Sequence, residues 1–321
     1  MRDDKTDTAA ATKTAARRLR CGVIGTGHLG KHHTRILGEM PETELVGIYD
    51  QKPELAAELA QKHDTRSFRS AEELLDNIEA VVLAVPTFAH AQLAIMALER
   101  GLHVMVEKPM ASTLGESDSM LKARGEGQIL AVGHVEFYNP AVQALLGLGE
   151  RPRFIEAQRL SQFTPRSLDV DVILDLMIHD LQILHALDPS PVEEVRCTGI
   201  DVLSPRIDIA TARIEMASGV TANITASRVS AEPVRKLRVF HHHRYFSIDY
   251  RQQEIRGFAL QEEGDKRVIS PVELAVTPAE PLRAELEAFA AVCLGEDRPY
   301  VSGEAGRRAL ETALEVRDAI G

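Results

Sequence analysis

The sequence predicts an α/β protein of two domains, a doubly wound parallel sheet followed by an α+β domain with a mainly antiparallel open sheet. Three observations carry this expectation. From residue 19 to about 135, short apolar runs alternate with amphipathic helical stretches, the rhythm of a parallel sheet wrapped by helices on both faces. Beyond that point extended runs follow one another with few helices between them, as in a sheet with one covered face. The first run also passes into the first helix through Gly25-Thr26-Gly27-His28-Leu29-Gly30, a glycine spacing that a phosphate-binding turn requires.

The first half reads in order. Apolar runs at 21–24, 44–49, 80–85, 103–106 and 129–132 predict five strands, and the stretches 28–37, 53–62, 89–100 and 113–123 predict helices between them. Gly25 allows the tight strand-to-helix turn, Gly27 lets the backbone approach a pyrophosphate, and Gly30 lets the helix pack closely on the strand. Thr26, His28 and Leu29 complete the loop, and the helix beginning there offers free N–H groups and a positive dipole end to phosphates. The second run ends at Asp50, twenty residues beyond Gly30, where a carboxylate accepts hydrogen bonds from an adenosine ribose and repels a 2′-phosphate. These features predict a Rossmann domain that binds NAD.

The second half opens with a long helical segment at about 171–187. The runs 210–216 and 220–228 flank Ser218-Gly219, a hairpin turn, and 237–240 and 245–250 flank His241-His242-His243-Arg244, a second hairpin. Helical patterns return at 282–294 and 303–320. The expected organisation is a tail over 1–18, a dinucleotide-binding domain over 19–137, and a substrate-binding and oligomerisation domain over 138–321, its last helices packing back on the first domain.

Composition narrows the function. A net charge of −11 disfavours a nucleic-acid surface, which needs a basic stripe. No apolar run approaches the roughly 18 residues of a membrane span. The three cysteines match no metal-ligand spacing and read as thiols in a reducing compartment. The tail is polar and carries aspartates, unlike a signal or transit peptide, so a cytoplasmic location is expected.

Four constellations carry chemistry. Lys108, in Glu107-Lys108-Pro109, follows the fourth run and so emerges at the carboxyl edge of the sheet. It is either an ordinary surface lysine or a group that stabilises a developing alkoxide. Asp171, Asp175 and His179 fall at i, i+4 and i+8 on an apolar helix, costly to bury without partners. A satisfied core histidine, a metal site and a general base oriented by aspartates are all open, and the base suits hydride chemistry best. His241-His242-His243 cannot converge on one ion, because neighbours in a strand face opposite ways, so no metal is expected. Arg159, Arg166, Arg228, Arg235 and Arg238 lie in the second half, where a cluster would suit a phosphate-bearing substrate. Arg159 is the first choice for a diphosphate.

Together with Ala84-Val85-Pro86-Thr87 and His90, Gly133-His134 leading to Asn139-Pro140, and Asp175-x-x-x-His179, these motifs resemble the Gfo/Idh/MocA family of nicotinamide-dependent oxidoreductases. The resemblance covers nearly the whole chain after the tail. It implies that Lys108 and His179 act on the substrate hydroxyl, with Asp175 a substrate contact or orienter. It also implies that Ala84, Val85, Pro86 and His90 line the nicotinamide side beside Glu107 and Lys108, and that Tyr138 and Asn139 touch the substrate. The chain departs from the family at Val170-Asp171-Val172, at Met177 and at Phe137-Tyr138. The run from Val170 to Asp180, with Asp208-Ile209-Ala210 and Thr225-Ala226-Ser227-Arg228, is similar to members that oxidise the 3-hydroxyl of UDP-N-acetylglucosamine. The product of those members is then aminated to a diamino sugar for lipid A. The implied partners are a small-molecule substrate and further copies of the chain in a homodimer or homotetramer. A polyol, aldose or inositol dehydrogenase and a non-catalytic NAD-binding regulator are the alternatives.

Overall fold

The computed structural model describes residues 17–164, 170–263 and 266–320. Most of the expected tail and Arg166 lie outside the described residues. The first sheet contains β1 (Leu19–Ile24), β2 (Thr43–Tyr49), β3 (Arg66–Ser67), β4 (Ala80–Leu83), β5 (His103–Glu107) and β6 (Leu130–Gly133) in the order 3-2-1-4-5-6. Every pair in it is parallel. Helices α1 (His28–Glu39), α2 (Pro53–Lys62), α3 (Ala71–Leu75), α4 (His90–Leu98) and α5 (Leu114–Ala123) connect the strands. All four residues of β4 are buried, as expected where helices cover both faces. The order reverses beside β1, which opens a crevice at the carboxyl ends of β1 and β4.

After α6 (Pro140–Leu146) the chain enters the second sheet at β7 (Phe154–Leu160). It then runs through α7 (Ile178–Leu187), β8 (Val192–Ile200), β9 (Ile209–Met216), β10 (Thr221–Ser227), β11 (Val234–His241), β12 (Arg244–Asp249), β13 (Glu254–Glu263) and β14 (Lys266–Val272). The sheet order is 14-13-12-11-7-10-9-8, antiparallel except for the parallel pair β7–β10. Burial alternates along β7 and β10, because helices cover one face only. Of the triple histidine, His241 ends β11 and His242 and His243 form the turn to β12, with His243 in the left-handed region at φ 61°.

The closing helices α8 (Pro281–Cys293) and α9 (Gly303–Ile320) return to the first sheet. Leu286, Phe289 and Ala290 of α8 share one core with Leu19, Cys21, Val23, Ile36 and Leu37. Ala309, Leu310 and Ala313 of α9 join a second core that spans β5, β6 and the covered face of the second sheet. α9 thus packs against both sheets, on β6 of the first and β8 of the second.

Candidate active site

The glycine loop has the geometry its spacing demands. Gly25 has φ +96°, and a Cβ there would fall 2.3 Å from the Ala84 carbonyl oxygen; a Cβ on Gly30 would fall 1.9 Å from that of Gly25. Neither position tolerates a side chain. A Cβ on Gly27 would meet nothing within 4 Å, so open space lies where a pyrophosphate approaches the exposed start of α1 at Gly27, His28 and Leu29. A cavity of about 590 Å³ extends from this loop, lined among others by Gly25, Gly27, Asp50, Ala84, Val85 and Pro86.

Asp50 directly follows β2 at the rim of that cavity. Its Oδ2 accepts from the Thr26 backbone N–H at 2.7 Å and the Thr26 hydroxyl at 2.8 Å, and its Oδ1 accepts from the Lys52 N–H at 2.9 Å. Burial pushes its pKa up, but the donors from Lys52 and Thr26 prevail and hold it below the usual carboxylate value. The residues fit NAD, with the loop for its phosphates and an ionised carboxylate for its ribose.

Lys108 extends from β5 into the crevice. Its ammonium donates to the Asp175 carbonyl oxygen at 2.6 Å and to Asp175 Oδ1 at 3.0 Å, so it is the partner that holds the Asp175 carboxylate. The expectation that Asp175 orients His179 is corrected accordingly. The cause is a π-helical turn over Ile173–Met177 that precedes α7, which breaks the 3.6-residue phase assumed for 171, 175 and 179. Asp171 faces away from the lysine, its Oδ1 accepting from the N–H groups of Ile173 and Leu174. It caps the turn.

His179 is buried, and its Nδ1 has no hydrogen-bond partner among the described residues. Burial, then the charges of Lys108 and Arg159, press its pKa well below the usual histidine value, so the ring is neutral, with one ring nitrogen unprotonated. The ring of His134, also buried, stands edge-on to it with centroids 5.9 Å apart. Burial and Lys108 lower the His134 pKa to about 3.

Several expected contacts are not where the sequence placed them. Arg159 is 2% exposed. Its Nε and Nη2 donate to Asp180 at 2.8 and 3.0 Å and its Nη1 to Glu136 at 2.6 Å, leaving no face for a diphosphate. Tyr138 is buried, its hydroxyl accepting from the Val301 N–H at 3.2 Å. Asn139 caps α6 through the Ala141 N–H and donates to the Tyr250 carbonyl. Glu107 lies behind the site rather than at the cofactor, paired with buried His33 at 2.7 Å and accepting from the Lys108 N–H. Buried His90 has Nδ1 3.0 Å from the Pro109 carbonyl and Nε2 2.9 Å from the Val85 carbonyl, donates to one of them, and so sits between the Val85-Pro86 turn and the lysine segment. Sequence reasoning missed His33, three residues after Gly30 on the buried side of α1, and gave His134 no role of its own.

Arg228 bonds the Val170 carbonyl at 2.7 Å, and Arg238 pairs with Glu156 on the open face. Among the described residues no group of three or more His, Cys, Asp or Glu side chains is arranged to hold a metal ion. No helix among them is long and apolar enough to cross a membrane.

A dinucleotide crevice with a lysine and a neutral histidine beside it defines an NAD-type oxidoreductase of CH–OH groups. Residues 19–134 match the family model described as oxidoreductase family, NAD-binding Rossmann fold. The chain is 37% identical over 308 residues to UDP-N-acetylglucosamine 3-dehydrogenase of Acidithiobacillus ferrooxidans, covering 94% of this chain and 97% of that one. A solved structure of that enzyme superposes with a TM-score of 0.88 over 94% of this chain and 98% of the other. Scyllo-inositol 2-dehydrogenase of Bacillus subtilis is 28% identical over 66% of this chain and 68% of its own. Levoglucosan dehydrogenase, solved with NADH and levoglucosan, shares the fold at a TM-score of 0.83 and 21% identity, over 95% of this chain and 97% of its own. The chain belongs to the Gfo/Idh/MocA family of oxidoreductases.

Proposed function

We propose that this enzyme oxidises a secondary hydroxyl of a nucleotide sugar to a ketone, at C3 of UDP-N-acetylglucosamine, with NAD as the acceptor. The observation that carries the substrate is the likeness to the Acidithiobacillus enzyme along nearly the whole of both chains. Bound NAD supplies the hydride acceptor. His179, neutral and buried, takes the hydroxyl proton. Lys108 donates to the same oxygen and favours its anionic form. Asp175 acts through Lys108, fixing the ammonium from two oxygens. Glu107, with His33 behind it, anchors the lysine backbone.

Asp50 supports NAD over NADP, since an ionised carboxylate repels a 2′-phosphate. The open face of the second sheet supports a homodimer or homotetramer. Phe154, Phe240 and Tyr245 cluster there, and Phe258 is 44% exposed beside them. The substrate and cofactor fit a cytoplasmic enzyme on the route to a lipid A diamino sugar.

The test is a panel of UDP-N-acetylglucosamine, other nucleotide sugars, free aldoses and inositols with NAD, following cofactor reduction. Turnover confined to UDP-N-acetylglucosamine is the expected result. Turnover of inositol or a free sugar alone selects the polyol reading, and no turnover together with NAD binding selects the regulator.

A further inference from the structure

Arg159 does not take part in substrate binding, but the strand pairing puts a second arginine beside it. Arg235 of β11 lies directly opposite Arg159 of β7 in the antiparallel register, so both side chains project from the covered face of the sheet toward α7. Their fates differ. Arg159 spends its donors on Asp180 and Glu136 and is enclosed. Arg235 keeps 44% of its side chain exposed, and its one ion-pair contact among the described residues is 3.6 Å, to the Glu136 oxygen that Arg159 already holds at 2.6 Å. Among the described residues its guanidinium makes no hydrogen bond of ordinary length.

The surroundings leave that cation poorly balanced. Burial disfavours its charge, as do Arg159 and Arg251, and Glu136 and Asp180 offset them only in part. Among the described residues, the charges that act on Arg235 are thus those of Arg159 and Arg251 against Glu136 and Asp180, while Lys108 and Asp175 pair with each other. The group is also close enough to the reacting centre for its charge to bear on His179. A forked donor with unused N–H groups, beside a catalytic histidine and short of negative charge, suits a phosphate oxygen.

We propose that Arg235 is the anchor for the phosphate of the substrate, holding it from the covered face of the second sheet while the hydroxyl to be oxidised lies between Lys108 and His179. This rests on the nucleotide-sugar reading and gives it a specificity residue. Removal of the phosphate from the ligand and removal of the guanidinium from the protein must then have the same consequence.

The test compares wild type, Arg235→Ala, Arg235→Lys and Arg238→Ala by calorimetry, with UDP-N-acetylglucosamine, N-acetylglucosamine 1-phosphate and NAD as separate ligands. Arg235→Ala should weaken both phosphorylated sugars by about 10- to 100-fold, the size of a lost charge-assisted pair. Arg235→Lys should recover part of the loss. NAD affinity should be unchanged, and Arg238→Ala, on the opposite face of the same strand, should behave as wild type. Unchanged affinity for the phosphorylated sugars, or an equal loss for NAD, would overturn the assignment. If wild type binds the sugar monophosphate through Arg235 but ignores the nucleotide sugar, the anchor stands and the nucleotide-sugar reading falls. If neither phosphorylated sugar binds wild type, both fall.

Discussion

Replacing His134 by glutamine should move the stability difference between variant and wild type in the variant's favour as pH falls from 7 to 5. In the folded protein the ring is 1% exposed, has no hydrogen-bond partner among the described residues, and has its pKa lowered from 6.5 to about 3. In the unfolded chain it titrates near its ordinary value. At pH 7 both states are mostly neutral, so the imidazole contributes little pH dependence. At pH 5 the unfolded chain has taken up the proton and the folded one still refuses it. The sign follows: a lowered folded pKa contributes stability above the unfolded value that is lost as pH falls below it. The gap between pH 6.5 and pH 5, at about 1.36 kcal/mol per pH unit, gives a loss of about 2 kcal/mol that glutamine does not suffer. Urea denaturation of wild type and variant at both pH values measures it, and the groups common to both proteins, Glu285 among them, cancel in the difference. The variant carries a pH-independent offset from the altered packing. Its ΔΔG at pH 5 should nevertheless be about 2 kcal/mol more favourable than at pH 7. An identical ΔΔG at both pH values would refute the claim that the ring is buried neutral.

The other expectations concern the site itself. Asp50→Ser should lower kcat/KM with NAD by about 10- to 100-fold, for charge-assisted bonds to the ribose lost, and raise it with NADP; an unchanged cofactor ratio in steady-state kinetics would count against the carboxylate's role. Lys108→Ala and His179→Ala should each depress kcat by roughly 10²–10⁴-fold with NAD binding retained, and the double variant should lose less than the product of the two. Near-normal turnover of His179→Ala would return that histidine to the core. Because the folded pKa of His179 lies below 6.5, the acid limb of kcat/KM should also fall below pH 6.5, and a limb at or above that value would contradict a neutral buried base. Arg159→Ala should lower stability by about 3–5 kcal/mol through the stranded charges of Asp180 and Glu136, seen as a fall in Tm, whereas a stable variant with only a raised sugar KM would restore it as a substrate contact.

The parts of the site that were legible in the sequence are those set by local backbone geometry. Gly25, Gly27 and Gly30 report a turn that other residues cannot make, and Asp50 follows from the length of one strand-helix-strand unit. Lys108 follows from its place at the end of an apolar run. The failures share a cause, which is that burial and pairing are decided by residues distant in the chain. Arg159 reads as one arginine among several until Asp180 and Glu136, 21 and 23 residues away, close around it. Asp175 reads as the partner of His179 because an α-helical period was assumed, and the π-turn at Ile173–Met177 alters that period without any glycine or proline to signal it. Glu107 reads as a cofactor contact because it adjoins the lysine, yet residues of one strand alternate and its side chain turns inward to His33. Short β3, and β13 and β14 at one end of the second sheet, are too brief or too polar on the exposed side to stand out by periodicity.

In the proposed reaction His179 and Lys108 present a sugar C3 hydroxyl to NAD. This is tested most directly by giving the enzyme UDP-N-acetylglucosamine deuterated at C3 together with NAD, trapping the keto product with hydroxylamine, and examining the reduced cofactor by mass spectrometry. Wild type should yield deuterated NADH, and His179→Ala or Lys108→Ala almost none. Unlabelled NADH from wild type would place the oxidation at another carbon, and the absence of any NADH from this substrate would contradict the proposed function.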